Sequence, residues 1–204
     1  MTPSDGGSGP QSPVESEFKD FFSTVDFADS PARRYKLLRR IASTPFSIVC
    51  SAKDEQTGQK VCIKKILRAF SDLKIAKQTL REIRLLKLFK DHENIITFYS
   101  VLVPSDPHVY QNLYIVSELM GSDLGKIIHS GTEITTEHIQ TFIYQILRGL
   151  KYIHSAGVIH RDLKPTNILV NSNCDMKIGD FGMGRALSTS LNMTLLEDVT
   201  THCY

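Results

Sequence analysis

The segment VIHRDLKPTNILV, residues 158–170, constrains this chain more than any other stretch. It holds Asp162, Lys164 and Asn167 at short spacings. An aspartate in such a loop accepts the proton of an attacking hydroxyl, a nearby lysine neutralises a transferring phosphoryl group, and an asparagine ligates a metal. The following KIGDFG adds Asp180, an oxygen ligand suited to Mg²⁺. The two motifs in this order predict phosphoryl-transfer chemistry rather than loop aspartates that merely cap turns.

A lysine and a glutamate upstream complete the pattern. Lys64 lies among apolar neighbours in VCIKKI, and Glu82 follows in TLREIRLL. Each residue taken alone has an ordinary structural interpretation: Lys64 as an edge-strand lysine in solvent, and Glu82 as a local helix partner of Arg81 or Arg84. In order with the two later motifs, they match the signature set of protein kinases.

The first half of the organised sequence predicts a β-rich unit with one helix. Short β-rich runs at 35–42, 46–53 and 60–66 predict an antiparallel meander. A helix then begins near Ser71, the expected N-cap, and two more strands are predicted at 95–103 and 113–119. Apolar residues recur along that helix at helical spacing: Leu73, Ala76, Leu80, Ile83 and Leu86.

The second half predicts a long helix followed by short extended pieces. The helix is expected over 136–154, with one apolar face of which part is expected to remain uncovered. That face consists of Ile139, Phe142, Ile143, Ile146, Leu150 and Ile153.

Bulk composition excludes several classes of protein. The 24 basic and 22 acidic residues give a net charge of +2, which indicates neither nucleic acid nor a membrane surface as a partner. The four cysteines contain no CxxC pair and fit a reducing compartment. With no signal peptide and no long apolar stretch, the sequence predicts a soluble, intracellular protein.

From about Tyr35 onward the chain resembles the mitogen-activated protein kinases, through TLREIRLLKLF, HENII, SELMGSDL, GLKYIHSAGVIHRDLKPTN and KIGDFGMGR. KIGDFGM and SAGVIHRDLKP look most similar to the large extracellular-signal-regulated branch. The resemblance implies an α+β, protein-kinase-like fold with a β-rich small lobe carrying helix C, and an incomplete helical large lobe. The implied division is a disordered Ser/Pro/Gly-rich tail at 1–32, the small lobe and hinge at 33–120, and a partial large lobe at 121–204.

The resemblance also implies roles for single residues, with ATP and Mg²⁺ as cofactors. Lys64 would hold the α- and β-phosphates and pair with Glu82, Asp162 would be the catalytic base, and Lys164 would touch the γ-phosphate. Asn167 and Asp180 would bind Mg²⁺, and Arg161 would contact the phosphorylated activation segment. The adenosine site would comprise Ile41, Ala42, Val49, Cys62, Ser117 at the gatekeeper position, Glu118 to Met120 at the hinge, Asp123 and Leu169.

The sequence departs from the family at the glycine-rich roof over the phosphates. IASTPFSIVCSA places Ala42, Thr44 and Ser47 where the family has glycines. Glycine lets the backbone approach the phosphates closely, and Pro45 removes one N–H group at the tip. We therefore expect weakened ATP binding, by about a hundredfold if two phosphate hydrogen bonds are lost.

The other departures lie at the end, LLEDVTTHCY. The family's Thr-x-Tyr pair is replaced by Thr201 and Tyr204 with two residues between them, so Thr200, Thr201 and Tyr204 are candidate phosphosites for an upstream dual-specificity kinase. The chain stops before the Ala-Pro-Glu element, which predicts truncation within the activation segment. Two hypotheses follow. The chain is a Ser/Thr kinase acting on protein substrates at Ser/Thr-Pro sites in intracellular signalling, or a catalytically impaired or inactive isoform acting as a protein-interaction module.

Overall fold

A computed structural model describes residues 21–22, 34–102 and 111–187. Its main feature is a five-stranded antiparallel sheet in the order β1-β2-β3-β5-β4. The strands are β1 (Tyr35–Ser43), β2 (Ser47–Asp54), β3 (Lys60–Ile66), β4 (Phe98–Leu102) and β5 (Leu113–Glu118). The three-stranded meander predicted from the β-branched runs and their turns is confirmed, and its register sets Val49 of β2 opposite Lys64 of β3.

Helix α1 (Leu73–Leu88) packs on this sheet, and it differs from the prediction in its cap and its buried face. Asp72 is the N-cap, since its carboxylate accepts from the amide of Lys74 at 2.7 Å. The hydroxyl of Ser71 instead donates to the carbonyl of Arg68 in the preceding turn. Part of the predicted apolar stripe faces solvent, since Leu73 is 67% exposed. The buried residues are Thr79, Arg81, Glu82, Leu85 and Leu86.

The segment before β4 was predicted as strand from residue 95, yet the strand begins at Phe98. Ile95 and Ile96 are buried and face the second half of the molecule. The amide of Ile96 donates to the carbonyl of Ile178, and the amide of Ile178 donates to the carbonyl of Asn94. This stretch therefore links the sheet to the helical part and does not extend β4.

The second part contains helices α2 (Leu124–His129) and α3 (Thr136–Ser155). Two small sheets accompany these helices. One consists of β6 (Ser122–Asp123), β8 (Ile168–Val170) and β9 (Met176–Ile178), and the other of β7 (Val158–Ile159) and β10 (Arg185–Ala186). A 3₁₀ turn, Pro165–Asn167, precedes β8. The predicted α+β class is confirmed. Neither α-helix of this part nor α1 is long and apolar enough to cross a membrane.

The apolar face of α3 divides into a covered and an uncovered strip. Phe142 and Ile153 are buried against β7 and β9, whereas Ile139, Ile143 and Leu147 are each more than half exposed. No described residue covers the second strip. The sequence predicts exposure of Ile139, Phe142, Ile146 and Leu150; this is confirmed at Ile139 and wrong at Phe142, which is buried, while Ile146 and Leu150 are partly buried against the core.

Two residues of the segment predicted as a disordered tail are described, and they are packed. Phe21 is 5% exposed on the outer face of the five-stranded sheet, where its ring meets those of Phe22 and Tyr114. Its carbonyl accepts from Lys65 Nζ at 2.7 Å and from the Tyr114 hydroxyl at 3.0 Å. The prediction of disorder is therefore wrong at Phe21 and Phe22, and the rest of 1–32 lies outside the described residues.

Candidate active site

An ion pair between the sheet and α1 forms the centre of the cleft. Lys64 Nζ of β3 donates to both carboxylate oxygens of Glu82, at 2.7 and 2.9 Å. The same ammonium lies 3.8 Å from Asp180 Oδ1. The pairing expected from two distant sequence motifs is therefore present, and the contact of Lys64 with Asp180 joins the small lobe to the loop that follows β9.

The charges of this pair are set by burial and by neighbouring carboxylates. Burial opposes the charge on Lys64, but Glu82 and Asp180 together outweigh it and raise the pKa of the ammonium. Burial also opposes the charge on Glu82 and raises the pKa of that carboxyl group, an effect that Lys64 partly offsets. Lys64 thus remains a cation among two carboxylates, available to an anionic group that enters the cleft.

In the loop between β7 and β8, two predicted residues, Lys164 and Asn167, contact the carboxylate of a third, Asp162. Lys164 Nζ lies 2.9 Å from Asp162 Oδ2, and Asn167 Nδ2 donates to the same oxygen at 3.0 Å and to the Asp162 carbonyl at 2.8 Å. The hydrogen bond from Lys164 is the main reason that the pKa of Asp162 is lowered. Asp162 therefore stays ionised at neutral pH and is able to accept a proton.

His160 fixes this loop, although sequence reasoning gave it no role. It is 2% exposed, its Nε2 lies 2.9 Å from the carbonyl of Gly179, and its Nδ1 accepts from the amide of Asp162. Nδ1 as acceptor assigns the proton to Nε2. His160 thus ties the backbone of Asp162 to the residue before Asp180, and its place inside HRD was the available signal.

Asp180 and Asn167 offer oxygen atoms for a hard cation. Asp180 has φ of 58°, and its side chain is 46% exposed. Asn167 is 7% exposed and donates only through Nδ2, so its Oδ1 has no partner among the described residues. No cluster of three or more His, Cys, Asp or Glu able to hold a metal occurs in those residues. One carboxylate and one amide oxygen fit Mg²⁺, which completes its shell with water and substrate phosphates.

A cavity of about 360 Å³ lies between the sheet and β8, on the hinge side of the cleft. It is lined by nine of the ten residues predicted for the adenosine site, together with Arg39 and Lys126. Those nine are Ile41, Val49, Cys62, Ser117, Glu118, Leu119, Met120, Asp123 and Leu169. Ala42 does not line it, because it lies on β1 beyond the lining residue Ile41 and is exposed.

Two residues of the cavity lining, Glu118 and Asp123, contact protein partners that the sequence did not indicate. Glu118 Oε2 accepts from Thr97 Oγ1 at 2.8 Å and lies 3.0 Å from Lys177 Nζ. Asp123 caps α2 and pairs with Lys126 at 2.8 Å. The Glu118 side chain therefore braces the hinge, while Asp123 is a buried residue of the cavity lining.

A second cavity, of about 430 Å³, adjoins the ion pair. Its lining combines the β1–β2 turn, the inner face of α1 and the loops of the second part: Phe46, Ser47, Lys64, Gln78, Glu82, Asp162 and Asp180 among others. Acidic groups and one half-buried cation in a common open cleft suit an anion accompanied by a metal ion.

Two arginines hold the segment after Asp180. Arg161, with φ of 64°, donates from Nε to the carbonyl of Met183 at 2.7 Å. Arg81 of α1, which the sequence suggested only as a local helix partner, donates to the carbonyl of Gly182 at 2.8 Å. The regulatory candidates Thr200, Thr201 and Tyr204 lie outside the described residues.

Comparison with known proteins agrees with this arrangement. Residues 35–204 match the protein kinase domain family. Extracellular signal-regulated kinase 1 of Dictyostelium discoideum is 49% identical over 172 residues, which cover 84% of this chain and 32% of that protein. Mitogen-activated protein kinase 4a of Physcomitrium patens is 52% identical over 172 residues, covering 84% and 45%. Mitogen-activated protein kinase 5 of Oryza sativa subsp. indica is 54% identical over 159 residues, covering 78% and 42%.

The chain belongs to the protein kinase family, whose two-part fold and paired lysine and glutamate it carries. Within that family it is a member of the mitogen-activated branch, as the sequence predicted. It spans 32% to 45% of the length of these relatives.

Proposed function

We propose that this chain is the nucleotide-binding and phosphoryl-transfer part of a serine/threonine kinase of the mitogen-activated type. The observation that carries the proposal is the position of Lys64, held 2.7 Å from Glu82 and 3.8 Å from Asp180 in the cleft that Asp162 also lines. An ordinary structural ion pair does not need a third, exposed carboxylate and a proton acceptor beside it.

The residues divide the reaction between them. The substrate hydroxyl oxygen attacks the γ-phosphorus of ATP, its proton passes to Asp162 Oδ, and the bond to the bridging oxygen of the departing ADP breaks. Lys64 binds the α- and β-phosphates, and Lys164 neutralises the transferring group. Asp180 and Asn167 would hold Mg²⁺, which neutralises charge on the phosphate oxygens.

The adenosine end fits the cavity of about 360 Å³. Its apolar lining sandwiches a base between Val49 and Leu169, and the hinge from Glu118 to Met120 offers backbone groups at the edge. Asp123 also lines this cavity and would lie near the ribose hydroxyls.

The finer features follow from similarity to the mitogen-activated kinases. We propose protein substrates phosphorylated at Ser or Thr followed by Pro, activation by an upstream dual-specificity kinase, and a cytoplasmic or nuclear location without nucleic acid or membrane as partner. The second hypothesis, a non-catalytic interaction module, rested on the glycine-free roof and on the end of the sequence. The contact between Lys64 and Glu82 and the fixed position of Asp162 favour the enzyme.

A thermal-shift titration with Mg-ATP tests the site first. ATP should stabilise the full chain by about 2.7 kcal/mol at a hundred times its Kd. Lys64→Met and Asp180→Asn should abolish this gain, whereas Lys60→Met, an exposed lysine on the same strand, should retain it. Equal shifts in all four proteins would refute the proposed phosphate site.

Transfer of radiolabelled phosphate to a Ser-Pro peptide tests the chemistry. We expect incorporation that falls by at least about a hundredfold in Asp162→Asn and in a Ser-Ala peptide. ATP binding without any transfer, under conditions where a full-length relative is active, would leave the interaction module as the better description.

A further inference from the structure

In the turn that joins β1 to β2, the side chain of Thr44 accepts hydrogen bonds from backbone amides of the same turn. Thr44 Oγ1 accepts from the amide of Ser47 at 3.0 Å and from the amide of Phe46 at 3.3 Å. The amide of Thr44 donates to the Ser47 carbonyl at 2.8 Å, which closes the turn. Between them, Pro45 has no N–H group. Of the three tip positions from Pro45 to Ser47, none has an amide left for a ligand.

The turn is also fixed in place above the cleft. The amide of Leu67, just after β3, donates to the Phe46 carbonyl at 2.8 Å. Phe46 and Ser47 line the cavity of about 430 Å³ together with Lys64. The occupied amides therefore belong to the part of the turn that faces the proposed phosphate position.

The Thr44 hydroxyl is more than a weak local contact. Besides accepting two amides, it lies 3.0 Å from the Ser47 hydroxyl and 3.3 Å from the Ser47 carbonyl, so its proton also has an acceptor. A phosphate oxygen that approached the turn would compete with an acceptor already in position. Thr is β-branched, and its restricted side-chain rotation favours retention of this arrangement.

We propose that Thr44 is a built-in substitute for a phosphate oxygen, so that the roof of this cleft makes no backbone hydrogen bonds to the nucleotide. The triphosphate is then held from one side only, by Lys64 and by the metal that Asp180 and Asn167 would bind. This inference rests on the proposed function and identifies Thr44 as the residue that limits affinity for the phosphates.

The first test compares ATP with adenosine, which lacks phosphates, by calorimetric titration of the full chain. Thr44→Val keeps the shape and branching but removes the acceptor, which frees the amides of Phe46 and Ser47. We expect ATP to bind about tenfold more tightly to this variant, the gain from one charge-assisted hydrogen bond, while adenosine affinity stays unchanged. Thr57→Val is the matched control, because Thr57 accepts from the amide of Gln59 in the turn between β2 and β3, away from the cleft.

Amide hydrogen exchange gives a second readout that needs no nucleotide. In the native chain the Ser47 amide should be protected and stay so when Mg-ATP is added, and Thr44→Val should expose it. Thr44→Gly provides the same comparison if the valine variant does not fold.

The outcomes separate the two proposals. Unchanged or weaker ATP binding in both Thr44 variants, with binding still lost in Lys64→Met, would overturn the role of Thr44 and leave the nucleotide site intact. An Ser47 amide that becomes more protected on addition of Mg-ATP would overturn it too. Failure of both ATP and adenosine to bind any of the proteins would refute the nucleotide site itself, and with it the role of Thr44.

Discussion

Replacing Phe21 by alanine should destabilise the small lobe, although Phe21 lies far along the sequence from the strands it touches. The ring lies 6.0 Å from that of Tyr114 at 66°, an edge-on contact, and it belongs to an apolar cluster with Tyr35, Val61 and Ile63. Lys65 is 5% exposed beneath it and directs its ammonium at the Phe21 carbonyl. The residue therefore covers a buried cation as well as apolar surface.

The size of the effect follows from two contributions. Truncating a fully buried Phe costs about 3–5 kcal/mol, but this site is at the surface of the sheet and can refill with water, so the lower end applies. If the segment detaches, Lys65 regains water, which limits the further loss from its hydrogen bond to about 1 kcal/mol. We expect a total loss of about 3–4 kcal/mol.

Urea unfolding of the full chain measures this, with Phe46→Ala as the matched control. Phe46 is 60% exposed, so its truncation should cost less than about 1 kcal/mol. Phe21→Leu should recover most of the loss, because it restores apolar volume. A Phe21→Ala variant as stable as the native chain would refute the reasoning and mean that Phe21 contributes nothing to the packing of the sheet.

Three further predictions concern pH, thiol reactivity and nucleotide shape. The hydrogen bond from Arg34 lowers the pKa of Asp54 from 3.8 to about 2, so the stability it contributes is complete above about pH 4 and is lost as pH falls toward 2. Because Arg34 is 42% exposed, this amounts to about 1 kcal/mol, and the gap in urea midpoint between the native chain and Asp54→Asn should close over that range. Burial raises the pKa of Cys62 from 9.0 to about 11, so iodoacetamide at pH 8 should alkylate it about a hundredfold more slowly than in the unfolded chain; equal rates by peptide mass spectrometry would contradict this. Ser117 of β5 pairs with Cys62 of β3, and this small side chain lines the adenosine cavity. ATP analogues with bulky adenine substituents should therefore bind, and Ser117→Met should weaken their binding at least about tenfold relative to that of ATP in a competition assay.

Much of the sheet and the cleft could be predicted because the signals are local or ordered. Strand runs bounded by turn residues gave β1 to β3, and the order of Lys64, Glu82, Asp162 and Asp180 along the chain indicated groups that the structure brings together. The side chains that position these groups were not predictable in this way. His160 and Lys177 act through contacts with Gly179 and Glu118, and no spacing rule specifies such contacts in advance.

Errors of prediction occurred where distant parts of the chain decide the local outcome. Ile95 and Ile96 have strand composition, but Ile95 forms an isolated β-bridge with Ile178 on the other side of the hinge, and the amide of Ile96 donates to the Ile178 carbonyl. The apolar stripe through Leu73 and Leu80 fits a helix, yet α1 buries Glu82 instead, because the carboxylate has Lys64 as a partner. The buried face of α1 is shared by Glu82 with Leu85 and Leu86, and the contact with Lys64 is one that periodicity alone does not indicate.

The roof turn shows the same limit in one residue. The absence of glycine predicts a stiffer loop, and the missing N–H of Pro45 predicts one lost phosphate contact, both from backbone chemistry alone. Sequence does not indicate that Thr44 turns its hydroxyl inward onto the amides of Phe46 and Ser47. The distinction matters, because stiffness would weaken every nucleotide that contacts the roof, whereas an occupied acceptor position weakens only those that carry phosphates. Comparing adenosine with ATP therefore measures which of the two effects the loss of glycine has had in this chain.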